Sequence, residues 1–115
     1  MTLPKRIQRK KNRDSRWRST AHCNFVRGHE CSNPKCQDGR PIEVAHVRDG
    51  TDCGMARKPS DYWTISLCQT CHSRQHAIGE GPFEDEAGID MKALATEFAN
   101  ASPKRREIQE AKNDQ

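Results

Sequence analysis

The sequence predicts a small α+β domain, on three observations. Two short runs, PIEVAHVR at 41–48 and YWTISL at 62–67, are dense in β-branched and aromatic residues. Two other stretches, 68–78 and 90–101, contain no internal Pro or Gly, and the second sets Met91, Leu94, Ala95 and Phe98 at helical spacing. Two cysteine pairs, Cys31/Cys36 and Cys68/Cys71, bracket the strand runs, so that a crosslink between the pairs closes them into one unit.

Taken in order, residues 1–18 lack hydrophobic periodicity and read as a flexible basic arm. Residues 19–27 read as a short helix, with Trp17, Phe25 and Val26 as its apolar contacts. The segment CSNPKCQDGR (31–40) is rich in turn formers. The first strand follows at 41–48, then a Gly-, Asp- and Pro-containing loop at 49–61, then the second strand at 62–67. Tyr62 and Trp63 read as hairpin core. A helix over 68–78 is stopped by Gly79-Glu80-Gly81-Pro82. A last helix spans 90–101, with Asp90 as its N-cap and Pro103 beyond its end. The folded domain is therefore expected over 19–102, and 103–115 reads as a charged tail.

The core is thin. Hydrophobic residues are 32% of the 115-residue chain and charged residues 31%, against a usual apolar fraction of ~45–50% with glycine counted. Ordering the backbone costs about 1–2 kcal/mol per residue, so a chain this poor in apolar groups needs a staple. The N-terminus MTLPKRIQRKKNR is basic and has no apolar run after it, and no stretch approaches a membrane span. A cytoplasmic, reducing setting is expected, where cysteines serve metals rather than disulfides.

Cys31-x4-Cys36 and Cys68-x2-Cys71 are two knuckles, each able to present two thiolates to one tetrahedral zinc at ~2.3 Å. Residues 37–67 lie between them, enough for a strand–loop–strand closed at its base by the metal. Cys23, beside His22, is an alternative to Cys31. Cys53 sits in a polar loop without an evident partner.

Charge is uneven. Residues 1–20 hold eight Lys and Arg against Asp14, a net of +7; the chain's total of +4 leaves −3 on the rest. Such an arm, with Lys10, Lys11 and Arg13, can neutralise nucleic-acid phosphates.

Three histidines follow or lie between the knuckles: His46, His72 and His76. His72 and His76 are four apart and share one helical face, as in divalent-metal sites of the His-x3-His kind. His46 ends a strand that the zinc should hold near that helix. An imidazole, with an ordinary pKa of ~6.5, is suited to taking a proton from water near neutral pH. Phosphodiester hydrolysis needs that base, together with a cation to stabilise the phosphate and the leaving oxygen.

The segments GRPIEVAHVRDGTD and KPSDYWTISLCQTCHSRQH, set behind the first cysteine pair, resemble the HNH (ββα-metal) endonucleases. More narrowly, they are similar to a phage- and prophage-associated branch that includes the RecA-dependent phage nuclease family. The resemblance covers roughly residues 22–98. It implies a zinc-stabilised ββα-metal core: an antiparallel hairpin and a helix clasping one catalytic divalent ion, Mg²⁺ or Mn²⁺. It implies His46 as general base, His72 as metal ligand and His76 as a second helical ligand. Asp61 falls in the region of the family's middle asparagine, which orients the base or the metal.

Two departures accompany it. Many members carry Asp or His immediately before the general base, where this chain has Ala45; Glu43, two residues back, is on the same strand face. The middle asparagine is absent, although a carboxylate at Asp61 can coordinate Mg²⁺. Arg48 and Arg57 are candidate phosphate contacts beside the active loop. The expectation is thus a metal-dependent endonuclease acting on DNA, with RNA as an open substrate and a recombinase partner implied by the resemblance alone. The alternatives are a non-catalytic zinc module that binds nucleic acid through its arm, and a degenerate HNH fold serving protein interaction in a phage assembly.

Overall fold

The computed structural model describes residues 2–7, 16–36, 38, 41–54 and 58–114. Over these residues the chain is a two-stranded antiparallel sheet with five helices, in the order α1 (Thr20–Arg27), β1 (Ile42–His46), β2 (Thr64–Cys68), α2 (Gln69–Ile78), α3 (Glu80–Ala87), α4 (Met91–Ala101) and α5 (Arg105–Asn113). No helix among the described residues is long and apolar enough to cross a membrane.

The strands pair with Ala45 opposite Ile65, Glu43 opposite Leu67 and His46 opposite Thr64. Side chains alternate along a strand, so Glu43, Ala45, Ile65 and Leu67 share one face and His46, Thr64 and Ser66 the other. Ala45, Ile65 and Leu67 are fully buried in a cluster with Val47, Phe83, Met91 and Ala95. Helix α1 packs against both strands, and α2 and α4 pack against β2.

Each helix start has a local cause. Ser19 caps α1 by accepting the His22 amide, and Asp90 caps α4 by accepting that of Ala93. Cys68 caps α2: its sulfur accepts the Cys71 amide. Gly79, at φ +92°, ends α2 and turns directly into α3. A left-handed backbone at that position favours glycine.

Two expectations need correction. The Gly79–Pro82 stop does end one helix, but it also opens another. Pro82 sits in the first turn of α3, where no intrahelical N–H is required, and α3 buries Phe83 and Ala87. Residues 103–115 do not form a plain charged tail. Helix α5 buries Ile108 against Tyr62 and Ala99, with Trp17 and Ala111 beside them. The Lys112 ammonium lies 4.6 Å from the Trp63 ring centroid. One apolar stripe, masked by charges on the other face, is enough to dock this short helix.

The arm also ends earlier than residue 18. Leu3 and Ile7 are exposed, but Trp17 packs on Tyr62, its backbone N–H donates to Ser60 Oγ at 3.0 Å, and its carbonyl accepts the Asp61 N–H. An indole this large contributes more in contact with a tyrosine ring than in water. Arg18, next to it, belongs to the site below.

Candidate functional site

The four cysteines meet where the loop after α1 crosses the β2–α2 junction. Ser66 organises that crossing: its carbonyl accepts the Ser32 N–H and its hydroxyl donates to the Glu30 carbonyl. Cys31 is thereby brought to Cys68. The sulfurs of Cys31, Cys36, Cys68 and Cys71 lie within 4.8 Å of one another, and they are the one such metal-ligand cluster among the described residues. Cys36 Sγ and Cys68 Sγ are 3.4 Å apart, close to the ~3.8 Å edge of a tetrahedron with Zn–S bonds of ~2.3 Å. Backbone N–H groups of Cys68 and Cys71 donate to Cys31 Sγ and Cys68 Sγ, and the Asn33 amide lies 3.5 Å from Cys71 Sγ. Donors aimed at sulfur are what thiolate ligands require. Burial pushes the Cys68 and Cys71 thiols up, while the Asp38 backbone amide, with the Cys68 thiol, draws Cys36 down to about 7. The donor set fits zinc, with Cys31 in the cluster and Cys23 outside it.

Beside this centre opens a cleft of about 700 Å³ lined by His46, Asp61, His72, His76, Glu43 and Cys23, and by the basic side chains Arg18, Arg27, Arg48 and Lys58. His46, at the end of β1, donates from Nε2 to Asp61 Oδ1 at 2.9 Å. The other Asp61 oxygen accepts the Ser19 N–H at 2.9 Å, and the Arg18 guanidinium lies 3.4 Å from Oδ1. Burial acts to raise the Asp61 carboxyl, but the His46 and Ser19 hydrogen bonds and the Arg18 charge outweigh it and hold it below its ordinary value. The Cys23 thiol, half-buried and hydrogen-bonded to that carboxylate, is pushed up to about 11.

Asp61 is itself held in place. Asp52 accepts the Ser60 N–H and hydroxyl and approaches the Tyr62 hydroxyl, while Ser60 Oγ accepts the Trp17 N–H. Asp52 and Ser60, which had no role legible in the sequence, thus clamp the segment that carries Asp61 onto residues 17–19.

On α2, His72 donates from Nδ1 to Glu43 Oε1 at 2.8 Å, and its Nε2 lies 3.2 Å from His76 Nε2. Asp61 does not join this pair. It is turned toward His46 and α1, and with either histidine it forms no three-ligand group within 4.8 Å among the described residues. Its carboxylate is engaged instead by Ser19, His46 and Arg18. Arg48 lies in the cleft wall, where the Glu80 carboxylate holds its backbone N–H and that of Asp49. Arg57, Lys10, Lys11 and Arg13 lie outside the described residues. Arg18 and Arg27 were missed as site residues. Arg18 was hidden in the arm's charge run, but Cys23 and Arg27, four apart in α1, were a legible sign of one helix face turned to the cleft.

No curated protein and no solved structure matches the chain. A family model does, over residues 4–103, and it carries the description "Protein of unknown function (DUF968)". That match takes in the four cysteines, the three cleft histidines and Asp61 together, and the chain belongs to this DUF968 family.

Proposed function

We propose that the protein is a metal-dependent endonuclease of the HNH kind, hydrolysing DNA phosphodiester bonds in the cleft between α1, β1 and α2. The observation that carries this reading is the half-buried His46–Asp61 pair opening into the same cleft as the His72–His76 pair. The order of hairpin then helix, with a cysteine centre at its base, supports it.

The pair defines the base. Because the Asp61 carboxylate accepts the proton on His46 Nε2, the basic lone pair sits on Nδ1. That nitrogen takes a proton from the attacking water, and Asp61 stabilises the resulting imidazolium. Arg18, Arg48 and Lys58 neutralise phosphate charge in the cleft wall. A divalent ion held by His72 and His76 would supply stabilisation of the phosphate and the leaving oxygen. The four-cysteine centre is structural, since four thiolates fill a tetrahedral zinc and leave no open position.

One observation favours a second reading, a non-catalytic zinc module that binds nucleic acid. Ala45, where the resemblance expects an acidic ligand, is fully buried in the core. Plasmid cleavage in the presence of Mg²⁺, Mn²⁺, Co²⁺ or EDTA separates the two. The nuclease reading expects cation-dependent cleavage that is lost in His46→Ala; binding without cleavage under every cation supports the module.

A further inference from the structure

The His72–His76 contact is more specific than two imidazoles stacked on a helix. The Nε2 atoms are 3.2 Å apart. Two nitrogens that each lie ~2.0–2.1 Å from one ion, at ~90–110° to each other, stand ~2.9–3.4 Å apart. The pair therefore already has the spacing of adjacent ligands on one cation. The far nitrogen of His72 is tied as well, to Glu43 Oε1. A carboxylate only accepts, so Nδ1 carries the ring proton and Nε2 keeps its lone pair, directed toward His76.

We propose that Glu43 is the positioning residue of a two-histidine cation site, locking His72 in the tautomer whose Nε2 can ligate beside that of His76, and that this site takes a nitrogen-preferring transition ion rather than Mg²⁺. The inference rests on the metal role given to His72 and His76 above. Carboxylates that hold a ligating imidazole by its second N–H raise its basicity and fix its orientation. Glu43 shares a strand face with Ala45, so the carboxylate missing from position 45 is present two residues earlier and grips the imidazole instead. It is not itself a ligand: among the described residues, no group of three ligand atoms that includes Glu43 lies within 4.8 Å. Mg²⁺ prefers an all-oxygen shell, whereas imidazole suits the later transition ions.

The test is titration of the zinc-loaded full-length protein with Co²⁺, followed by visible absorption. Exchange into the cysteine centre is recognised separately by its strong thiolate-to-metal band in the near ultraviolet. Glu43→Ala should weaken Co²⁺ binding by about 10–100-fold. Glu43→Gln, whose carbonyl oxygen can still accept the Nδ1–H, should stay within a few-fold of wild type, and His72→Ala should abolish binding. The Glu43 side chain is 43% exposed, so both Glu43 variants should unfold at the wild-type temperature. The proposal is overturned if Glu43→Ala binds Co²⁺ like wild type, if Glu43→Gln is as damaging as His72→Ala, or if equimolar Mg²⁺ displaces Co²⁺. Wild type that takes up Co²⁺ only in the thiolate centre also overturns it. Cation uptake is read without nucleic acid. Intact, Glu43-dependent uptake in a protein that cleaves nothing therefore sinks the nuclease reading alone; cleavage with Glu43-independent uptake sinks this inference alone.

Discussion

Asp61 Oδ1 accepts the His46 Nε2 proton at 2.9 Å, while the same carboxylate takes the Ser19 N–H at the start of α1. One side chain thus fixes the candidate base and anchors the helix that walls the cleft. The strand end, the loop before β2 and the N-terminal segment converge on it.

Asp61→Ala should consequently cost both stability and activity. It leaves the Ser19 amide and the His46 N–H without their acceptor, at about 1–3 kcal/mol for a buried donor left unpaired. The cation concentration giving half-maximal cleavage should not move, because the Asp61 carboxylate is engaged by His46, Ser19 and Arg18 rather than by the His72/His76 pair. Metal titrations of cleavage by wild type and variant check this, and a raised cation requirement would return Asp61 to the ligand set.

Removal of the cysteine centre should unfold the body. Zinc analysis is expected to find about one tightly held ion per chain, and structural zinc contributes on the order of 10 kcal/mol at neutral pH. Cys68→Ser should lose the ion and the cooperative unfolding transition together. A well-folded protein with six titratable free thiols would contradict this.

Truncation should resolve the arm from the body. Deleting residues 1–15 removes six Lys and Arg together with Asp14, so the slope of log affinity for DNA against log salt should become shallower while the melting temperature holds. Deleting residues 1–18 also removes Trp17 and Arg18, which pack on Tyr62 and approach Asp61. That second deletion should lower the melting temperature, and equal stability for the two truncations would contradict the docking of Trp17.

His22 should make the fold acid-sensitive. Its ring is fully buried, with Nδ1 on Ser102 Oγ and a buried Nε2 that has no hydrogen-bond partner among the described residues. Burial depresses its pKa, partly offset by the Asp61 charge. Below the ordinary imidazole value of ~6.5 the unfolded chain binds a proton that the folded one refuses, so stability present above that value is lost as pH falls toward the folded pKa. Urea unfolding of wild type and His22→Asn between pH 7 and 5 checks it. The stability gap between them should narrow or reverse in acid, and a gap independent of pH would contradict a neutral buried His22.

Much of this organisation was legible in residue order. The cysteine spacing, the strand runs and the Asp90 cap act locally, and each appears in the structure within a residue or two of its expected place. What escaped was set by long-range packing. Helix α3 buries only Phe83 and Ala87, and helix α5 only Ile108, too few to stand out from their charges. Arg18 looked like any arm cation until its guanidinium was seen beside Asp61, 43 residues away. Asp52 and Ser60 carry no chemistry of their own, and their part is visible only once Trp17 is found on Ser60. Glu43 was noticed as a substitute for the missing residue at 45, but its grip on His72 Nδ1 depends on the strand-to-helix geometry.

The most direct measurement is single-turnover cleavage of supercoiled plasmid by zinc-loaded wild type and His46→Ala, with Mn²⁺ or Co²⁺ in excess. His46 belongs neither to the cysteine cluster nor to the His72–His76 pair, so zinc content, Co²⁺ uptake and DNA affinity should be nearly unchanged. The cleavage rate should fall by about 10²–10⁴-fold, the usual contribution of a positioned general base. Equal rates for the two proteins, or no cleavage by zinc-loaded wild type with any divalent ion, would contradict the account.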